Sequence, residues 1–308
     1  MQKNSNRCFV SVVITVFQRT KFLRTAIESA LAQERPADEI IVTDDSGSTE
    51  IRAICESFPA SRVRYRANSP ALGVAGNVRI AAVESQGDLI AILNDDDIWE
   101  PDFLATLVPP LENNADVVLS FGDHWLMDAD GATDETASVK NTALYHREHL
   151  LTGKIADPSP LVLLHNSVPM AMAAVFRKAA VDWGRLTPEV RGAYDFWLSC
   201  LLAHTGRPFY YTNRRLSRYR LHGEMETARQ AADKNENMAF IYDTLLRENF
   251  FPSLRPFLLH KLAVTLRTCG RDQLRFGTHR AARARFQQSI STRITAKAVA
   301  GWLLSWLP

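Results

Sequence analysis

Cysteine is scarce in this sequence and shows no regular spacing. The four cysteines, Cys8, Cys55, Cys200 and Cys269, lie far apart and form no CxxC pair. Structural zinc sites and disulfide frameworks usually place cysteines at short, repeated spacings, so neither kind of site is supported. We therefore expect a protein of a reducing compartment, the cytoplasm.

Long apolar runs are absent as well. No apolar stretch reaches the roughly 18 residues that a helix needs to cross a bilayer. The N-terminal apolar run, residues 9–17, has no small-residue cleavage site after it and continues into Gln18 and Arg19. It predicts a buried strand and not a signal peptide. The last stretch, residues 298–308, is too short to span a bilayer but could lie in the membrane interface.

Acidic residues are nearly missing from the end of the chain. Residues 251–308 hold ten basic residues and one acid, Asp272, which gives this segment a net charge of +9. Because the whole chain carries +2, residues 1–250 carry −7. A basic segment of this kind indicates either an anionic partner, such as a membrane surface or nucleic acid, or a solvated basic helical face. Charge counting leaves both interpretations open.

The first hundred residues alternate between strand and helix patterns. Continuous β-branched and apolar runs predict strands, and apolar residues spaced four apart predict helices between them. Regular alternation of this kind favours an α/β fold with a parallel sheet and helices on both faces. The predicted strands are 9–17, 38–45, 62–67 and 87–94, and the predicted helices are 20–33, 48–58 and 73–86.

The rest of the chain is less regular. Apolar runs predict strands at 115–128 and 168–176, a helix at 194–206 and two short strands within 207–223. Residues 224–237 are polar and predict a mobile segment. From Met238 onward the pattern indicates about three basic amphipathic helices.

Acidic residues follow two of the predicted parallel strands. Asp44 and Asp45 end the second strand, and Asp95, Asp96 and Asp97 end the fourth. In open α/β sheets ligands bind beyond the carboxyl ends of the strands, so both acidic turns should face one crevice. Adjacent carboxylates there suit Mg²⁺ or Mn²⁺, which prefer hard oxygen ligands. The alternative is a solvated acidic turn before a helix, since acids favour helix N-termini.

The neighbouring loops favour the ligand interpretation. Neither GxxxxGK[ST] nor GxGxxG occurs, so a P-loop and a dinucleotide fingerprint are unsupported. Instead, Asn68 and Asn77 flank two glycines before the third helix, and Gly47 would let the backbone approach a ligand. A nucleotide–metal site in an α/β crevice would require such a set of residues.

Four stretches carry a resemblance to a known family: "VSVVITVF", "DEIIVTDDSGSTE", "NSPALGVAGNVRIAA" and "LNDDDIWEPDFL". In order and spacing, residues 9–104 resemble the N-terminal half of glycosyltransferase family 2, inverting GT-A-fold enzymes that use nucleotide-diphosphate sugars. The likeness continues more loosely to residue 222 through "YDFWLSCLLAHTGRPFYYTNRRLSRYRLHG". It implies a Rossmann-like, mostly parallel central sheet flanked by helices. It also implies a GT-A domain over 1–222, with a donor half of about 1–115 and an acceptor half of about 116–222. Residues 223–308 resemble no known family, and their pattern predicts a helical basic extension.

The resemblance also implies roles for individual residues. Asp44 would accept a hydrogen bond from the nucleobase, Asp95 would lie near the ribose or donor sugar, and Asp96 would bind Mn²⁺ or Mg²⁺. Asp97 would belong to the metal loop as a support, and His222 would complete the metal or diphosphate site unless it is a structural histidine. The expected donor-binding residues are Thr15, Phe17, Asp44, Asn68, Asn77 and Asp95, and the expected metal-site residues are Asp96, Asp97 and His222.

Asp195 is the expected catalytic base because it opens a helix in the acceptor half. The family often has a Glu-Asp pair two or three residues earlier, where this chain has Gly192 and Ala193. Asn94 stands where the family frequently has aspartate, and Gly76 where it often has arginine. These departures suggest altered donor contacts without excluding catalysis.

The leading hypothesis is an inverting, metal-dependent glycosyltransferase of polysaccharide or glycoconjugate biosynthesis. Its expected partners are a nucleotide-diphosphate sugar, a saccharide or lipid-linked acceptor and the inner face of a membrane, contacted through 251–308, but no nucleic acid. A nucleotidyltransferase would need a glycine-rich loop after the first strand, and "TVFQRTKF" has no glycine. A catalytically weak sugar-nucleotide-binding or scaffold protein is the other alternative, favoured only by the missing Glu-Asp pair.

Overall fold

The computed structural model describes residues 7–223 and 231–306. The described chain divides into two units. The first contains residues 7–188 and 194–223, and the second contains residues 189–193 and 231–306. Of the predicted mobile segment, 224–237, residues 224–230 lie outside the described part of the chain. From Ala231 onward the prediction is wrong, because these residues begin a helix.

A ten-stranded sheet forms the centre of the first unit, counted over the described residues. Its order is β3-β2-β1-β4-β9-β6-β10-β5, with β7 paired to β6 and β8 to β10. The first four strands in this order are parallel, β9 runs antiparallel to both neighbours, and β6 and β10 are parallel. The strands are β1 Val10–Val16, β2 Glu39–Asp44, β3 Val63–Ala67, β4 Leu89–Asn94, β5 Ile98–Trp99, β6 Leu119–Met127, β7 Thr133–Asp134, β8 Gly153–Ile155, β9 Ala174–Arg177 and β10 Phe209–Arg220.

Helices cover the sheet, which confirms the predicted α/β class. All seven residues of β1 are buried, as expected for a strand covered on both faces. The helices of the first unit are α1 Leu23–Leu31, α2 Thr49–Glu56, α3 Gly73–Glu84, α4 Phe103–Asn113, α5 Glu135–Leu144, α6 Ser159–Leu163, α7 Met170–Ala173 and α8 Tyr194–His204.

The register of the parallel strands aligns their carboxyl ends. Thr15 at the end of β1 pairs with Thr43 of β2 on one side and with Asn94 of β4 on the other. Asp44 pairs with Ala67 at the end of β3. The loops that follow these strands therefore leave the sheet at one edge, where the sequence predicts a ligand.

Two predictions for the middle of the chain are wrong in detail. The strand expected at 168–176 is a short helix, α7, followed by β9, because the backbone turns helical after Pro169. The two short strands expected within 207–223 are one strand, β10. Its pairing with β6 shifts register between Tyr211 and Ser217, so an irregularity inside the ladder absorbs the polar stretch that looked like a break.

The second unit is helical. Its helices are α9 Ala231–Arg247, α10 Arg255–Arg275, α11 His279–Thr292 and α12 Ala296–Leu304. Phe286 of α11 packs against Gly270 and Gly301, where any Cβ would press against its ring. Glycine at these positions therefore allows α10, α11 and α12 to approach closely. Among residues 7–223 and 231–306, no helix combines the length and the apolar character needed to cross a bilayer.

Candidate active site

Asp44 organises the turn after β2. Its side chain is fully buried and accepts four hydrogen bonds. Oδ1 accepts from the backbone N–H of Ser46 at 2.8 Å and from its hydroxyl at 2.6 Å. Oδ2 accepts from the N–H of Ser48 and from the hydroxyl of Tyr65, both at 2.9 Å. A carboxylate offers about four lone-pair sites, so these donors use the accepting capacity that a nucleobase would need.

Asp45, the next residue, holds the loop before α3. Its Oδ1 accepts from Asn68 Nδ2 at 2.9 Å and from the N–H of Leu72 at 2.7 Å. Its Oδ2 accepts from the N–H of Gly73 at 2.7 Å, the first residue of α3. The carboxylate thus satisfies backbone donors near a helix N-terminus, where negative charge is favoured. The sequence grouped Asp45 with the acidic turn but assigned it no role.

Asn68 and Asn77 lie in a buried polar network below this loop. Asn68 Nδ2 also donates to Asn77 Oδ1 at 2.7 Å. Asn77 Oδ1 accepts from the Thr43 hydroxyl at 2.6 Å, and Asn77 Nδ2 donates to the Thr43 carbonyl at 3.0 Å. Both amides contact the protein, and they connect the ends of β2 and β3 to α3.

Thr15 and Phe17 occupy the end of β1. Thr15 is buried, whereas the Phe17 ring is 50% exposed directly after the strand. An exposed aromatic ring at the carboxyl edge of the sheet offers a flat apolar surface to a ligand.

Asp97 ties the acidic turn to β10. Its side chain is fully buried. One oxygen accepts from the Arg220 N–H at 3.0 Å, and the other accepts from Asn94 Nδ2 at 2.8 Å. These contacts shape the turn between β4 and β5.

Asp95 and Asp96 share one cation, the guanidinium of Arg19 from the loop between β1 and α1. Arg19 Nε donates to Asp95 Oδ2 at 3.1 Å, and Nη2 contacts Asp95 Oδ1 at shorter range. Nη2 also lies 2.8 Å from Asp96 Oδ2. His222 Nε2 lies 3.0 Å from that same Asp96 oxygen. Two carboxylates and an imidazole therefore converge on one positive charge.

Arg220 and Phe22 hold the other side of this cluster. Arg220 is buried, and its Nε donates to the Asp96 carbonyl at 2.9 Å. Its Nη1 donates to the carbonyls of Asp128 and Ala129 at 3.4 and 3.1 Å. The Phe22 ring lies 4.5 Å below the Arg220 guanidinium and 5.1 Å from the His222 ring. Arg220 is thereby anchored to backbone oxygens.

Burial dominates the electrostatics of the acidic turn. It raises the pKa of Asp95 to about 7, and the hydrogen bond from Arg19 opposes this rise. Burial, together with the charge of Asp96, raises the pKa of Asp97 well above its usual range. A buried carboxylate is poorly solvated when charged, and a like charge beside it adds repulsion. The charged form of these carboxylates therefore depends on a cation beside them, and the Arg19 guanidinium is one.

Asp195 lies in the first turn of α8, beside the acidic turn. The hydroxyl of the preceding residue, Tyr194, donates to Asn94 Oδ1 at 3.4 Å. Burial raises the pKa of Tyr194 well above its usual range, and the charges of Asp195 and of the three acids raise it further. Asp195 itself is half-buried, and its Oδ1 accepts from the Phe196 N–H at 2.7 Å. Tyr194 thus links the first turn of α8, which carries Asp195, to Asn94 at the end of β4.

The donor set around Arg19 fits a divalent cation. In the described part of the chain, no three His, Cys, Asp or Glu side chains already stand at metal-binding distances from one another. Asp95, Asp96 and His222 nevertheless surround one cation, the guanidinium of Arg19. Carboxylate oxygens with one imidazole suit Mn²⁺ well and Mg²⁺ through the oxygens.

Sequence reasoning missed Arg19, Asp45 and Arg220 as site residues. Arg19 follows the first strand directly, and Arg220 stands two residues before His222 in "YRLH", so both were adjacent to recognised positions. Their positions next to these residues were the sequence signal that could have identified them. Their contacts with Asp95, Asp96 and Asp97 depend on the tertiary fold.

Comparison with known proteins identifies relatives of this chain. The family model described as "Glycosyl transferase family 2" matches residues 11–176, more than half of the chain. An uncharacterised glycosyltransferase of Rickettsia typhi is 24% identical over 254 residues, which cover 80% of this chain and 74% of that protein. The glycosyltransferase GlyG of Streptococcus pneumoniae is 30% identical over 115 residues, and this match spans 36% of this chain and 38% of GlyG.

A solved structure shows the same architecture. The mannosyltransferase PcManGT of Pyrobaculum calidifontis, in complex with GDP-Man and Mn²⁺, aligns with 98% of this chain and 79% of its own, with a TM-score of 0.61 and 15% identity. A likeness at this identity concerns the fold. The predicted GT-A fold, a mainly parallel sheet flanked by helices and followed by C-terminal helices, is confirmed.

Proposed function

The chain belongs to glycosyltransferase family 2 and is a transferase, and we propose that it is an inverting, metal-dependent one. In this proposal it moves a sugar from a nucleotide-diphosphate sugar to an acceptor hydroxyl. The observation that carries the proposal is the convergence of Asp95, Asp96 and His222 on one cation at the carboxyl edge of the sheet. A diphosphate bound at that edge needs such a positive charge.

The donor would lie across the ends of β1, β2 and β4. Phe17 offers an exposed ring and Thr15 a hydroxyl for the nucleoside. Asp44 would act there mainly by shaping the turn, with Asn68 and Asn77 connecting the ends of β2 and β3 to α3. Donor chemistry of this class is supported by the GDP-Man complex of the structural neighbour.

Asp96, His222 and Asp95 would hold a divalent ion, Mn²⁺ or Mg²⁺, with Asp97 fixing the turn that carries them. When bound, such an ion stabilises the negative charge that develops on a departing diphosphate. Arg220, anchored by backbone carbonyls, keeps the main chain of Asp96 in place. The Mn²⁺ complex of the neighbour supports the choice of metal.

Asp195 is the proposed general base. It lies half-buried in the first turn of α8, directly after Tyr194, whose hydroxyl donates to Asn94 at the end of β4. The base would take the hydroxyl proton as the oxygen attacks the anomeric carbon. A single displacement inverts the configuration, so the reaction needs no second nucleophile.

The acceptor is proposed to be a saccharide or a lipid-linked saccharide in polysaccharide or glycoconjugate biosynthesis. The basic C-terminal helices end in exposed apolar side chains, Leu303, Leu304 and Trp306. Basic and aromatic residues together favour an anionic membrane surface. We therefore place the enzyme in the cytoplasm, at the inner face of the membrane.

The test is release of nucleoside diphosphate from UDP-, GDP- and dTDP-sugars with Mn²⁺ or Mg²⁺. We expect release from at least one donor, and Asp96→Asn should lower it by about 100-fold or more because the metal charge is lost. Glu135→Gln, which changes an exposed carboxylate on α5, is the matched control. Absence of release from every donor would favour the sugar-nucleotide-binding alternative.

Asp195→Asn separates the base from the donor site. Donor and metal affinities should stay at wild-type values, while turnover falls by about 10²- to 10⁴-fold because proton removal is lost. Isothermal titration and product assays on the same preparation measure both. Wild-type turnover in this variant would show that another residue is the general base.

A further inference from the structure

Arg19 occupies the place where the proposed metal would bind. Its guanidinium lies between Asp95 and Asp96 and within 3.4 Å of His222 Nε2. Only 18% of the Arg19 side chain is exposed, so water screens these contacts poorly. A divalent ion and this guanidinium cannot contact the same carboxylate oxygens at once.

The two arginines of the cluster differ in what they contact. Arg220 donates to the backbone carbonyls of Asp96, Asp128 and Ala129 and to none of the proposed metal-ligand side chains in these hydrogen bonds. Arg19 contacts the very side chains that would become metal ligands. It extends from a loop on a flexible stem, so it can reach a second position by side-chain rotation.

We propose, on the basis of the function proposed above, that Arg19 is a tethered cation that exchanges partners during donor binding. Without metal it neutralises Asp95 and Asp96. For a divalent ion to bind, Arg19 leaves these carboxylates and transfers to the diphosphate of the donor. Arg19 is thus a positioning residue that makes metal binding and donor binding depend on each other.

Charge balance explains why the exchange needs the donor. The acidic turn is buried, and without a cation its three carboxylates would repel one another. A guanidinium released inside the protein also needs an anion, because an unpaired buried charge is strongly unfavourable. A diphosphate meets this need with planar, bidentate geometry that suits arginine. The free protein should therefore bind metal weakly and bind it tightly once a nucleoside diphosphate is present.

The experiment measures Mn²⁺ affinity of the full chain by electron paramagnetic resonance, without nucleotide and with saturating UDP or GDP. Affinities are corrected for the Mn²⁺–nucleotide affinity measured without protein. In wild type the nucleotide should tighten Mn²⁺ binding by about 100-fold, within the usual range of coupling between sites. Arg19→Gln should bind Mn²⁺ about tenfold more tightly without nucleotide, and its enhancement by nucleotide should fall to about tenfold.

Three further variants make each outcome informative. Arg19→Lys keeps the charge but loses the bidentate geometry, so its coupling should lie between wild type and Arg19→Gln. Arg79→Gln, an exposed arginine on α3, should behave as wild type. Asp96→Asn should lose Mn²⁺ binding in both conditions. Thermal unfolding checks that each variant is folded, and Arg19→Lys replaces Arg19→Gln if the latter does not fold.

The outcomes separate this proposal from the one on which it rests. Equal or weaker Mn²⁺ binding by Arg19→Gln without nucleotide, with binding lost in Asp96→Asn, would refute the exchange and leave the metal site standing. Unchanged Mn²⁺ binding in Asp96→Asn would refute the metal site itself. Tighter binding with reduced coupling supports the exchange, and both readouts are independent of turnover.

Discussion

Replacing Asp44 with asparagine distinguishes two functions for this carboxylate, shaping the turn after β2 or contacting a nucleobase. The asparagine oxygen can still accept two of the four hydrogen bonds, but its amide nitrogen cannot accept the other two. Depending on how the amide is oriented, the two lost bonds are those from Ser46 or those from Ser48 and Tyr65. Hydrogen bonds to a charged acceptor contribute about 1.5–3 kcal/mol each, so two lost bonds amount to about 3–6 kcal/mol. The half-buried hydroxyls of Ser46 and Tyr65 can turn toward water. We therefore expect the free energy of unfolding to fall by about 2–4 kcal/mol.

The assay is urea unfolding of the first unit, followed by fluorescence, since four of the six tryptophans lie there. Tyr65→Phe is the matched variant. It removes a single donor to Asp44 and should lower the free energy of unfolding by about 1 kcal/mol. Nucleotide binding, measured by titration, should weaken in Asp44→Asn as the turn loses order. If Asp44→Asn unfolds at the wild-type midpoint yet no longer binds nucleotide, the turn-shaping argument is wrong and Asp44 contacts the ligand.

Two further predictions concern pH and the membrane. Burial raises the pKa of Asp95 to about 7, whereas an unfolded aspartate has a pKa of about 3.9. The folded state therefore binds the proton more tightly, and the free energy of unfolding of the metal-free protein should fall as pH rises from about 4 to 7. Urea midpoints should show a shallower fall in Asp95→Asn, and identical slopes would contradict the assignment. For the membrane, replacing three exposed cations of the C-terminal helices with glutamine should weaken sedimentation with anionic vesicles by about 1 kcal/mol per cation. Replacing three exposed cations of the first unit should leave the sedimentation unchanged. If both sets of substitutions weaken vesicle binding equally, the attraction is a general effect of charge and not a property of the C-terminal helices. The first set is Arg275, Arg280 and Lys297, and the control set is Arg62, Arg79 and Lys140.

Much of the fold could be predicted because its signals are local. The strands β1, β2 and β4 are continuous apolar runs, and the helices between them show helical spacing. Strand and helix in strict alternation leave a parallel sheet as the favoured arrangement, and a parallel sheet places its strand ends at one edge. The acidic turns could therefore be assigned to one edge of the sheet from the sequence alone.

Local signals failed where pairing decided the structure. "RPFYYTNRRLSRYRLHG" contains polar residues that resemble a break, but β10 continues through them because β6 supplies partners on both sides of the register shift. A strand that is hydrogen-bonded to a neighbouring strand can contain polar side chains, whereas an isolated segment with the same residues would not form a strand. The pairing partner lies about 90 residues earlier, beyond the reach of any local pattern.

Chemically identical acids separate only in the folded chain. In sequence, Asp44, Asp95, Asp96 and Asp97 are aspartates at strand ends, and composition and spacing determine no more than their shared edge. The tertiary structure gives Asp44 four donors from its own turn and from β3, and gives Asp97 the backbone of Arg220, 123 residues away. It brings Asp95 and Asp96 to one arginine, Arg19, that the sequence did not single out. Which donor each aspartate contacts depends on the distances between atoms in the folded chain. Distances across the sheet are set by the crossover connections and by the strand register, and no single stretch of sequence determines either.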